Sequence, residues 1–165
     1  MVVYILRHGT AVARGSGVYP NDDRPLTENG KRKMAMSAGG IAKVAGEVDV
    51  ILTSPLIRAQ ETARIAARAL GIKEKVEICK ELLPGTSLKQ TLVHLARYKR
   101  RKKIMLVGHE PELGHLASAL MGSHKTIVEF KKGALCAIEV SLLLPRRSGK
   151  LLWHLQSKHL RALSP

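Results

Sequence analysis

The sequence predicts an α/β fold: a three-layer sandwich whose mostly parallel central sheet is flanked by helices. Two observations carry this. Short apolar, β-branched runs alternate with helical patterns over roughly the first 120 residues, the pattern of parallel strands joined by crossover helices. Three of those runs also end in a cluster of small or polar residues, Arg7-His8-Gly9, Ser54-Pro55 and Gly108-His109. In open α/β sheets the ligand crevice lies off the carboxyl ends of the strands, so these clusters are expected to converge.

The elements follow in order. Val2 to Leu6 is a continuous apolar run and reads as a buried strand. Residues 10 to 25, with Gly15, Gly17, Pro20, Asn21, Asp22, Asp23 and Pro25, form a surface loop. Thr27 starts a helix running towards Val44, weakened in its middle by Gly39-Gly40. Val48 to Thr53 is the second strand, and Leu56 to Leu70 the second helix. Ala59, Ala63, Ala66 and Ala67 let that helix pack closely, and Gly71 fits its stop. Val76 to Ile78 makes a short strand before the Pro84-Gly85 turn. Ser87 caps a third helix with Leu88, Leu92 and Leu95 at helical spacing. Ile104 to Val107 is a third long strand. Pro111 opens a Leu- and Ala-rich helix that ends near Met121-Gly122. Ala134 to Leu144 and Lys150 to Gln156 read as an antiparallel pair around Pro145 to Gly149, and the tail after Lys158 carries no clear pattern.

Size and composition bound the rest. A chain of 165 residues is expected to form one domain, residues 1–165, with one real core. Hydrophobic residues at 45% and charged residues at 25% exclude a disordered chain. Aromatics at 3% argue against a protein that stacks nucleic-acid bases, so nucleic acid is not the expected partner. The formal net charge of +15 favours an anionic one. No apolar run reaches the ~18 residues a membrane span needs, and the N-terminus lacks the basic leader of a signal peptide. A cytoplasmic, membrane-free setting is expected. Cys79 and Cys136 have no metal-binding spacing and read as buried, inert thiols, and no metal or other cofactor is expected.

Arg7-His8-Gly9 is the sharpest local signal. Neutral imidazole is a good nucleophile near pH 7. Gly9 removes a side chain, so that its backbone and an anion could approach closely. Arg7 offers a fork of donors suited to phosphate oxygens. Arg58, near the start of the second helix, adds a second guanidinium, and His109 ends the third long strand. Two Arg and two His around one anion suit phosphoryl transfer, because fixed donors stabilise charge spread over the equatorial oxygens.

LRHGT near the N-terminus, RPLTENG at 24–30, LTSPLIRAQETA at 52–63 and LVGHEPEL at 106–113 resemble the histidine phosphatase superfamily, which includes phosphoglycerate mutase. The resemblance runs in order from residue 2 to about residue 120, and the short length is similar to the SixA-type phosphohistidine phosphatases. It implies a phosphoglycerate mutase-like fold and a metal-independent phosphatase. His8 would be the nucleophile that becomes phosphorylated, with Arg7, Arg58 and His109 forming the rest of the phosphate pocket. Phosphate or sulfate is expected to fit there. Glu81, in CKELLPG, stands near the place of the proton donor of larger members. Arg14 falls where relatives place a further phosphate ligand. Thr10 departs from the Glu or Asp that many members carry after RHG.

Residues 71 to 103 leave no room for a large lid insertion, so an open groove is expected, able to admit a phosphorylated side chain on a protein. A phosphate ester leaves as an alkoxide and needs a general acid, whereas a phosphohistidine leaves as a far less basic imidazole. This favours phosphohistidine in a protein of a signalling pathway as substrate. The alternatives are a phosphatase or mutase for small phosphate esters and, from a different class, a non-catalytic module binding nucleic acid or a phosphoprotein. Residues 97 to 103, RYKRRKK, read either as a solvated loop end or as a docking face for an acidic partner.

Overall fold

Six strands form one sheet in the order β3-β2-β4-β1-β5-β6 in a computed structural model that describes residues 1–15, 18–19, 22–141 and 149–164. The strands are β1 (Val2–Arg7), β2 (Val50–Thr53), β3 (Val76–Ile78), β4 (Lys103–Gly108), β5 (Leu135–Glu139) and β6 (Lys150–Leu155). β3, β2, β4 and β1 run parallel, while β5 and β6 pair antiparallel. The helices are α1 (Glu28–Ala45), α2 (Ile57–Ala69), α3 (Leu88–Leu95), α4 (Glu112–Leu120) and α5 (Ser157–Leu163).

Alternation along the central strands makes two cores. Val3, Ile5, Val50, Leu52, Ile104 and Leu106 face one side, against residues of α3 and α4 such as Leu95, Leu113 and Leu116. Tyr4, Leu6, Ile51, Met105 and Val107 face the other, against α1, α2 and α5. A strand stretch buried on both faces must be apolar, and Val2–Leu6 of β1 and Ile104–Val107 of β4 are. Each core therefore pins a loop at the carboxyl edge of the sheet. β1 and β4 are in register from Val2↔Lys103 to Arg7↔Gly108, which brings His8 and His109 to the same edge.

The helix starts match their sequence signals. Thr27 caps α1 by accepting from Gly30 N–H at 2.9 Å, and Ser87 caps α3 with the reciprocal Gln90 contact. Gly39-Gly40 does not interrupt α1. A Cβ at Gly40 would overlap the Leu160 carbonyl oxygen, so the glycine lets α5 lie directly on α1. That close packing offsets the roughly 1 kcal/mol that a helical glycine costs. α5 itself, in the tail without a sequence pattern, is held mostly by α1. The expected β5–β6 pair is present, but its connection falls on residues 142–148, outside the described residues. Among the described residues no helix is long and apolar enough to cross a membrane.

Candidate active site

His8 follows the last residue of β1 and is 7% exposed. Its backbone N–H donates to the Gly108 carbonyl at 3.1 Å, tying the β1 and β4 exits together. Its ring Nδ1 lies 2.7 Å from the Gly9 carbonyl. A carbonyl only accepts, so Nδ1 carries the proton and Nε2 keeps its lone pair. Burial, with the charges of Arg58, Arg7 and Lys132, pulls the His8 pKa down from 6.5 to about 4, against the opposing pull of the Gly9 hydrogen bond. The ring is neutral at pH 7, as a nucleophile requires.

His109 lies beside it, with ring centroids 5.1 Å apart. Burial, then the charges of His8 and Arg58, lower its pKa to about 3, so it too is neutral. Its Nε2 is 2.8 Å from Ser54 Oγ, and Ser54 Oγ also accepts from Leu56 N–H at 3.4 Å. A hydroxyl that accepts from Leu56 can donate to His109 Nε2. That arrangement leaves the proton of His109 on Nδ1, a buried nitrogen with no protein partner.

Arg58, in the first turn of α2, is 2% exposed. Its Nη1 donates to the Asp22 carbonyl at 2.6 Å and its Nη2 to Asp22 Oδ2 at 2.9 Å, while Nε has no partner. Arg7 Nη1 donates to the Phe130 carbonyl at 2.5 Å, and its Nε likewise has no partner. Phe130 is in turn held by Glu110, whose carboxylate accepts from Phe130 N–H and from Gly114 N–H. Buried polar nitrogens are nearly always hydrogen-bonded. Arg7 Nε, Arg58 Nε and His109 Nδ1, on side chains whose charge or ring is felt at His8, are without partners among the described residues, an arrangement chemically suited to a tetrahedral oxyanion, hereafter the cup.

Other expected residues fall elsewhere. Arg14 has a side chain that is 75% exposed and pairs with Asp22, the carboxylate that also holds Arg58. Gly9 is a correction. Its N–H is taken by Thr62 Oγ1 at 3.1 Å and is not free for an anion. The missing side chain serves packing instead, since a Cβ there would lie 2.6 Å from Met34 Cγ. Glu81 sits in a 3₁₀ turn, Lys80–Leu82, and its carboxylate faces Cys79 Sγ at 3.5 Å and His94 Nδ1 at 3.3 Å. It makes no hydrogen bond to His8 or His109, although it shares with His109, Glu112 and His115 the lining of a cavity of about 30 Å³.

Cys79, Glu81 and His94 bring potential metal-ligand atoms within 4.8 Å of one another, a grouping that their sequence spacing does not announce. Burial and the neighbouring Glu81 push the Cys79 thiol up to about 12, so it is protonated and donates to Glu81. The basic run 97–103 leads into the first residue of β4, at the opposite end of the strand from His109. Five residue steps of about 3.3 Å put it roughly 17 Å from that edge.

Ser54, one of the three strand-exit clusters expected to converge, does meet His109, but sequence reasoning missed Asp22, Arg24, Thr62 and Glu110 as parts of the site's frame. Asp22 gathers Arg14, Arg24 and Arg58. Burial raises its pKa, but the Arg24 hydrogen bond and the Arg58 charge outweigh this and hold it at about 2. A signal existed for Thr62, which stands one helical turn after Arg58 and donates to the Arg58 carbonyl at 2.7 Å. None existed for Asp22, one acid among several polar loop residues.

Comparison with known proteins gives the class. Residues 3–83 match the sequence profile of the histidine phosphatase superfamily (branch 1). An uncharacterised protein of Picosynechococcus sp. is 37% identical over 123 residues, 73% of each chain. Phosphohistidine phosphatase SixA of Escherichia coli is 26% identical over 122 residues, 73% of this chain and 74% of that one. The solved structure of the protein histidine phosphatase SixA complexed with tungstate superposes with a TM-score of 0.83 at 24% identity, covering 97% of this chain and 99% of that chain. The chain belongs to the histidine phosphatase superfamily. Its six-stranded sheet and flanking helices are those of the SixA type, and its class of activity is that of a phosphatase.

Proposed function

We propose that this phosphatase removes the phosphoryl group from phosphohistidine in a protein, through a phosphorylated His8. The observation that carries the reading is the His8 tautomer beside three buried, unpartnered nitrogens. His8 Nε2 attacks phosphorus in line as the P–N bond of the substrate breaks. The electron pair of that bond leaves with the substrate imidazole, which takes a proton from water. The hydroxide so formed then attacks phosphorus on His8 as the P–Nε2 bond breaks and its electron pair returns to Nε2, releasing inorganic phosphate and restoring the neutral ring.

Arg7 Nε, Arg58 Nε and His109 Nδ1 donate to the phosphoryl oxygens as charge builds on them. The Phe130 and Asp22 contacts hold the two guanidinium groups in place before substrate arrives, so little reorganisation is needed. Among the described residues no carboxylate hydrogen-bonds to His8 or His109, and Glu81 is engaged with Cys79 and His94. An alkoxide leaving group needs such an acid far more than an imidazole does. That favours the P–N bond over a sugar phosphate.

The test compares hydrolysis of a phosphohistidine protein with hydrolysis of sugar phosphates, together with chemical trapping. The expected result is faster turnover of the phosphohistidine protein and an acid-labile, alkali-stable label on the enzyme that His8→Ala abolishes. Faster turnover of the sugar phosphates would transfer the site to small esters. Unchanged turnover by His8→Ala would remove the nucleophile assignment.

A further inference from the structure

A second cavity, of about 220 Å³, opens beside Gly9 and is lined by Lys33, Lys131, Lys132, Lys158 and Arg161. These residues come from three separate places: α1, the segment before β5, and α5. Among the described residues no carboxylate lines the cavity. Among the described residues none of the five is in an ion pair, whereas Lys31, on the same helix as Lys33, is paired with both Glu28 and Glu61. Like charges around one hollow repel, so the free protein carries a cost that a bound anion would remove. The trough also adjoins the reaction centre: Gly9 follows the nucleophile, and the Lys132 charge is felt at His8.

The chemistry of the trough differs from that of the cup. The cup holds a guanidinium that is 2% exposed and locked to Asp22. In the trough Lys33, Lys131, Lys132 and Lys158 are exposed, and Arg161 is half-buried and donates to Ser157 Oγ at 2.8 Å. Point charges on flexible stems, spread over three elements, suit carboxylates that follow one another along a chain rather than one tetrahedral group. We propose that the trough binds acidic side chains flanking the phosphohistidine of the protein substrate. This rests on the phosphohistidine reading above and adds a sequence preference to it.

The test uses two synthetic histidine peptides phosphorylated with phosphoramidate. They are identical except that Asp and Glu flank the histidine in one, and Asn and Gln in the other. The expected result is a preference for the acidic peptide of roughly tenfold in kcat/KM, as two or three exposed ion pairs give, carried in KM and shrinking with added salt. In Lys33→Ala/Lys158→Ala the ratio between the two peptides falls towards one. The ratio is internal to each variant, so a loss of folded protein does not imitate the result. Equal turnover of both peptides by the native protein overturns the inference while leaving the phosphohistidine reading intact. A preference that survives the double substitution overturns it as well. Hydrolysis of neither peptide overturns the phosphohistidine reading and this inference with it.

Discussion

Three cation-rich regions of this chain are built in different ways. In the cup, Arg7 and Arg58 each use one edge of the guanidinium on a fixed partner, Phe130 or Asp22, and keep Nε free. In the trough, lysines without an ion-pair partner among the described residues stand around an open hollow. The third region, residues 97–103, is continuous in sequence, yet it lies at the amino end of β4, where the Lys102 and Lys103 N–H groups donate to Asp49. The difference teaches that charge density along the chain is a poor guide to an anion site. What matters is which charges the topology brings to the edge where His8 lies, and whether their orientation is fixed.

The largest effect expected from breaking the comparison is at His8, the nucleophile in the proposed function. His8→Ala should lower kcat by about 10³-fold or more, measured on a phosphohistidine protein with native folding checked by circular dichroism. Arg58→Lys comes next. It preserves the charge but not the fork, so it cannot hold Asp22 and an oxyanion together. Loss of one fixed donor at a transition state costs on the order of 10²-fold in kcat. A charge-only cup would instead tolerate the change, and near-native kcat in Arg58→Lys would erase the distinction between cup and trough.

Thr62→Val tests the frame rather than the chemistry. It leaves the buried Gly9 N–H without a partner and should lower stability by about 1–3 kcal/mol, read from urea denaturation. The two neutral histidines also predict a pH dependence of stability. Folded His8 and His109 are depressed from 6.5 to about 4 and about 3, so the unfolded chain binds protons that the folded one excludes. Their contribution is fully present above pH 6.5 and is lost as pH falls from there towards 3. Tm should fall over that window, and less steeply in His8→Ala. Imidazole proton resonances of His8 and His109 that titrate near 6.5 would contradict the burial argument. The smallest effect belongs to the basic run: Arg97→Ala/Arg100→Ala/Arg101→Ala should change kcat/KM for a phosphohistidine peptide by less than about twofold, since an exposed charge is screened beyond about 10 Å in ordinary buffers.

Much of the fold was legible because it is carried by local patterns. Val2–Leu6 of β1 and Ile104–Val107 of β4 are continuously apolar since both faces of these stretches are buried, and Thr27 and Ser87 stand at helix starts since their hydroxyls satisfy free N–H groups. α5 was not legible. It is a seven-residue helix held by packing on α1, and its complement is Gly40, which in sequence looks like a helix breaker. The convergence of Arg7, His8, Arg58 and His109 was legible because each stands at a strand exit or a helix start in a recognisable motif. Gly9 was misread because a residue type suited to a close anion approach does not say whether a neighbour such as Thr62 has already taken its hydrogen bond.

The order of residues along the chain by itself determined the alternating strands and helices, and hence that the strand exits at Arg7-His8, Ser54 and Gly108-His109 share one edge. Hydrophobic periodicity and capping act over a few residues, so a linear reading captures them. Only the tertiary structure decided which His8 nitrogen is free, which guanidinium nitrogens remain unpartnered, and which lysines gather beside Gly9. Those outcomes depend on contacts between segments far apart in the chain, such as Arg7 with Phe130, 123 residues on, and on how burial changes the protonation of groups that are ordinary in water.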